Sequence, residues 1–119
     1  MKRDMDLVRK ILFTVEDLSF PGFPVELKIE GYTSKEVNYH LLILADAGLL
    51  SVDHARGGRG DYLWKSIRLT WEGHEFLDAA RDNKRWEKAK TAMSQVGGFA
   101  LDVMKQLLVQ YLKTELKLP

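Results

Sequence analysis

An α+β domain in which helices surround a single two-stranded hairpin is the fold class this sequence predicts, and three observations predict it. Helix-period apolar stripes recur along most of the chain. A period-2 pattern is confined to its middle. The glycine cluster Gly57-Gly58-Arg59-Gly60 separates two short β-patterned runs.

The first helix is read over residues 4–18, where Leu7, Ile11, Leu12, Val15 and Leu18 share one face and Asp4 stands as N-cap. Phe20-Pro21-Gly22-Phe23-Pro24 ends it, since two prolines within four residues cannot continue a helix. Val25, Leu27 and Ile29 alternate with Glu26, Lys28 and Glu30, the period of a short half-buried strand closed by Gly31. Thr33 and Glu36 have capping-box spacing and open a second helix with Val37, Leu41 and Leu44 inward and Gly48 as its stop. Leu50, Val52 and His54 alternate as one hairpin strand, and Tyr62 to Leu69 returns as the other. Tyr62 and Trp64 are out of phase with Ile67 and Leu69, which predicts a bulge or twist near Lys65-Ser66. Thr70 caps a third helix carrying Phe76, Leu77 and Ala80. A fourth, over 83–95, carries Trp86, Ala89 and Met93 and closes at Gly97-Gly98. The fifth, within 99–118, is amphipathic.

A helix ending in Ala47-Gly48-Leu49-Leu50 and feeding a hairpin is the order of a winged helix-turn-helix, with residues 1–82 as that part and residues 83–119 as a C-terminal helical extension of the same domain. Thr33 to Leu41, through Asp46 to Leu50, resembles the recognition helix of bacterial winged-helix regulators, and Leu69 to Leu77 is similar to the strand-to-helix exit of that fold. The whole chain resembles a family of short bacterial and prophage proteins known only as a domain of unknown function. The matching stretches are Met1 to Leu7, Asp46 to Leu50, Leu69 to Asp82 and Arg85-Trp86. The resemblance implies a fold and a bacterial, often phage-derived, context; it implies no activity.

Two features depart from a DNA-reading regulator. The helix expected before the recognition helix is replaced by the strand pattern of Val25–Ile29. Leu42 and Ile43 stand where such proteins carry polar readers, so the C-terminal helices or a second copy of the chain are expected to cover that face.

The totals narrow the function classes. The 119 residues are 45% hydrophobic and 29% charged with a net charge of +1, so no global field draws the chain to nucleic acid and any contact must come from local clusters. No cysteine is present, which excludes a disulfide scaffold or thiolate metal site. No apolar run reaches membrane-spanning length and no secretory leader is evident, so a cytoplasmic protein is expected. No nucleophile elbow, Ser-x-x-Lys pattern or phosphate loop is present, and neither an enzyme, a cofactor nor a small-molecule substrate is expected.

Double-stranded DNA is the expected partner. Arg56 and Arg59 on the wing, with Lys65 and Arg68 behind them, suit phosphate contact; a solvated turn is the alternative. Ser34, Lys35, Asn38 and Tyr39 on the outer edge of the second helix suit base and phosphate contact, against an ordinary solvent face. The competing expectation is a dimer or protein-interaction module using Leu42, Ile43, Leu101, Met104, Leu108 and Tyr111, and level with dimerisation stands a last helix that merely completes the domain's own core. His74 and Asp78 have ligand spacing but lack a third partner, and a surface ion pair is the expected role. Trp64, Trp71 and Trp86 are expected in the core.

Overall fold

The computed structural model describes residues 1–18, 25–56, 62–95, 97–98 and 100–117, with the side chain of Arg56 excepted. Among them are five helices and one two-stranded antiparallel sheet, an α+β arrangement: α1 (Met5–Glu16), α2 (Ser34–Asp46), β1 (Leu50–Arg56), β2 (Tyr62–Leu69), α3 (Trp71–Ala80), α4 (Asn83–Ser94) and α5 (Leu101–Glu115). The chain divides into two compact units, Met1–His74 and Glu75–Pro119, with the division inside α3.

In the first unit, the Asp4 carboxylate caps α1 by accepting from the Leu7 N–H at 3.1 Å. Met5, Leu7, Val8, Ile11, Leu12 and Val15 make its buried stripe. The proline-rich break at 20–24 lies outside the described residues. Beyond it, Val25, Leu27 and Ile29 are buried and Glu26, Lys28 and Glu30 exposed, as their alternation predicts. The expected strand nevertheless shrinks to one bridge, Val25 with Trp64, closed by the Val25 N–H donating to the Trp64 carbonyl at 2.8 Å. Register explains the difference. With Val25 opposite Trp64 in an antiparallel pair, Leu27 would face Tyr62, and Ile29 falls beyond the start of β2.

Both halves of the capping box form at α2. The Glu36 N–H donates to Thr33 Oγ1 at 3.1 Å, and the Thr33 N–H donates to Glu36 Oε1 at 3.0 Å. The helix ends in a Schellman motif. Gly48, at φ 80°, donates to the Ala45 carbonyl, and Leu49 donates to the Leu44 carbonyl, each at 3.0 Å. Val37, His40, Leu41 and Leu44 are its buried residues.

β1 and β2 pair from Leu50 with Leu69 to Arg56 with Tyr62. The register shifts between Asp53, opposite Ser66, and His54, opposite Trp64, leaving Lys65 as the extra residue of the expected bulge. That extra residue turns Trp64, Ile67 and Leu69 all inward despite their spacing.

Thr70 joins the hairpin to α3. Its hydroxyl donates to the Gly48 carbonyl and accepts from the Gly73 N–H at 3.0 Å, while its own N–H donates to the Leu49 carbonyl at 3.1 Å. Gly73 is required by this approach, because a Cβ there would run into the Leu49 carbonyl oxygen.

The second unit centres on Trp86 and Phe76, whose rings meet edge to face at 6.4 Å. Asp82 caps α4 by accepting from the Arg85 N–H at 2.8 Å. Arg85 is buried, with 7% of its surface exposed, and its guanidinium fork serves the end of α3. Nε donates to the Ala79 carbonyl at 2.8 Å, Nη2 to the Asp78 carbonyl at 3.4 Å, and Nη1 to Glu115 of α5 at 2.8 Å. Met104 and Leu108 of α5 are fully buried, and α5 packs on α4. Lys88 of α4 lies over the Tyr111 ring at 4.2 Å.

Candidate nucleic-acid interface

The outer edge of α2 gathers four of the residues expected to meet DNA. Ser34 and Lys35 are exposed, Asn38 and Tyr39 half-buried. Together with Leu42, Tyr62 and Met1 they line a shallow depression of about 540 Å³. The spacing does this: positions 34, 38 and 42 recur every fourth residue and stack into one column, with 35 and 39 beside them. Tyr62 comes to the same place because it opens β2.

One hydrogen bond ties helix to hairpin. The Trp64 indole Nε1–H donates to Asn38 Oδ1 at 2.9 Å. Trp64, only 3% exposed, stacks on Tyr62 with centroids 5.4 Å apart and 12° between planes, and the His54 ring meets both edge-on.

The remaining expected contacts are not gathered there. Lys65 and Arg68 are exposed, but Arg68 stands between the buried Ile67 and Leu69 and so points to the outer face of the hairpin, opposite the face Trp64 turns to α2. Arg59 lies outside the described residues, as does the side chain of Arg56, whose backbone ends β1. Residues 1–74 carry ten Lys and Arg against eleven Asp and Glu, so no net positive charge accumulates on this unit.

Of the residues expected to meet a protein partner, Met104 and Leu108 are corrected outright. Each has no exposed surface, being the stripe by which α5 packs within its own unit. Leu101, Tyr111, Leu42 and Ile43 are half-buried. Trp64 and Trp86 are core, whereas Trp71, the first residue of α3, is 77% exposed. Asp78 pairs with Arg81 at 2.9 Å rather than with His74, and His74 is exposed.

A second polar cluster, not foreseen from the sequence, joins α1 to α2. His40 is 1% exposed, and its Nε2 accepts from the Asp4 backbone N–H at 2.9 Å. A backbone N–H only donates, so Nε2 is bare and the ring proton sits on Nδ1, which donates to the Glu36 carbonyl at 2.8 Å. The Tyr32 hydroxyl donates to the other Asp4 oxygen at 3.1 Å. Burial pushes the Tyr32 phenol above its ordinary value, and the hydrogen bond and negative charge of Asp4 add to the effect. Both His40 nitrogens and both Asp4 oxygens are engaged within the protein, so the cluster is a structural tie.

No helix among the described residues is long and apolar enough to cross a membrane. An uncharacterized protein of Haemophilus influenzae is 34% identical over 110 residues, covering 90% of this chain and 92% of that relative. No solved structure matches the chain. The profile of the DUF2513 family, described as hypothetical protein, matches residues 2–100, from the α1 cap through α4, and the chain belongs to that family.

Proposed function

We propose that residues 1–74 are a winged-helix-like module that associates with duplex DNA, α2 taking the recognition position and the hairpin acting as the wing, in a phage-derived bacterial setting. The observation that carries this reading is the single surface made by Ser34, Lys35, Asn38 and Tyr39 with Tyr62 at the start of β2. A helix edge and a hairpin presented together fit a groove and its flanking phosphates. The near-balanced charge of the unit makes the affinity depend on a few cations, Lys35 and the wing arginines first.

The test is an anisotropy titration of labelled random duplex at two salt concentrations, with the oligomeric state followed by light scattering. Micromolar or tighter binding that weakens with salt, and that Lys35→Ala reduces for every duplex, is the expected outcome. No binding at low salt overturns the reading.

One observation favours a second reading, a module that binds protein. Trp71, the first residue of α3, is 77% exposed, and tryptophan is a residue type enriched at protein interfaces. Trp71→Ala would then abolish partner capture while leaving DNA binding untouched.

A further inference from the structure

We propose that Asn38 presents only its amide N–H groups to DNA, and that it therefore selects guanine and rejects the paired contact with adenine; the inference rests on the DNA-binding reading above. The Trp64 indole nitrogen is a donor and nothing else, so the Asn38 atom 2.9 Å away is its carbonyl oxygen. That settles the rotation of the amide group by chemistry. Trp64 is 3% exposed, so the oxygen it holds faces the interior, and the amide nitrogen takes the other side of the plane.

The arrangement is braced. The Trp64 backbone carbonyl accepts from Val25, which fixes the strand at that point, and burial together with the stacked Tyr62 and edge-on His54 rings packs the indole in the position that meets the oxygen. Asn38 is consequently a pre-oriented donor on the half-buried edge of α2, one turn from Ser34 and one turn from Leu42.

A free asparagine reads adenine with both ends of its amide, accepting from N6 and donating to N7. The Asn38 oxygen keeps a second lone pair, but it is turned toward the buried indole and away from the outer edge of α2, so the paired contact is disfavoured. Guanine offers two adjacent acceptors, O6 and N7, and matches a group that turns only its donors outward. The buried indole thus becomes a specificity-determining element that never touches DNA, acting through the orientation of Asn38.

The experiment is selection from a randomised duplex pool by the full chain, with sequencing of the bound fraction, run in parallel on Asn38→Asp. Aspartate keeps an acceptor for Trp64, and near-ultraviolet circular dichroism confirms that the aromatic cluster is intact. The expected result is a recovered motif with one guanine position favoured roughly tenfold over adenine. In Asn38→Asp that position alone changes, toward cytosine, whose amino group donates. A motif with adenine at that position, or one unchanged in Asn38→Asp, overturns the inference and leaves DNA association standing. Failure of the unaltered chain to retain any duplex at low salt overturns the reading on which it rests.

Discussion

Gly73 and Tyr32 show how single residues are committed by their surroundings. In an exposed helix interior, glycine to alanine is stabilising by about 1 kcal/mol. At Gly73 the sign reverses, because the new Cβ meets the Leu49 carbonyl, a backbone atom held by the Schellman turn and by Thr70. Gly73→Ala is expected to cost roughly 1–3 kcal/mol in urea unfolding. Gly48→Ala, where space is free but φ is 80°, should cost about 1 kcal/mol for backbone strain alone. A stabilised Gly73→Ala would contradict the close approach. Tyr32 is committed electrostatically. The folded chain holds its phenolic proton more tightly than the unfolded chain, so the associated stability is complete below the ordinary phenol pKa and is lost as pH rises through the folded-state value. Subtracting the ultraviolet titration of Tyr32→Phe from that of the unaltered chain should isolate a phenol ionising above about pH 10. A midpoint at or below that value would contradict the assignment.

Among the elements, the α3–α4 corner depends on one side chain. Arg85 satisfies two carbonyls at the end of α3 while pairing with a glutamate that is itself 51% exposed. The carbonyl bonds are the shielded part, so they should dominate. Arg85→Lys is expected to cost about 1–3 kcal/mol, since one ammonium cannot replace the fork. Glu115→Gln should cost less than about 1 kcal/mol, as half-exposed ion pairs do. Equal costs in chemical unfolding would show that the ion pair carries the corner instead. The boundaries of these elements were largely legible in the sequence. Caps at Asp4, Thr33 and Thr70 and the stop at Gly48 act through neighbours three or four residues away, which periodicity and composition reveal. The bulge was legible too, because a break of phase within one strand is a local signal. The Val25–Ile29 strand was misread in extent, since its length depended on where a strand some forty residues later began.

At the scale of the molecule, charge bounds the proposed association with DNA. The cations proposed for contact are Lys35, Arg56, Arg59, Lys65 and Arg68, half of the ten Lys and Arg in a unit that carries eleven Asp and Glu. If all five meet phosphates, the logarithmic salt dependence of duplex binding should be no steeper than about −4.5. A steeper slope would place additional cations, from elsewhere in the chain or a second copy, at the interface. The sequence by itself determined the order of helices and hairpin, their caps and the inward stripes, because each is written in residues a turn or a strand repeat apart. Tertiary structure alone decided which side chains were left for function. It enclosed His40 between Asp4 and Glu36, consumed Met104 and Leu108 in packing, exposed Trp71, and turned the Asn38 oxygen toward Trp64. Those outcomes depend on partners between four and thirty-six residues away, brought close only by the packing of finished elements. Local patterning carries no record of which atoms will meet there.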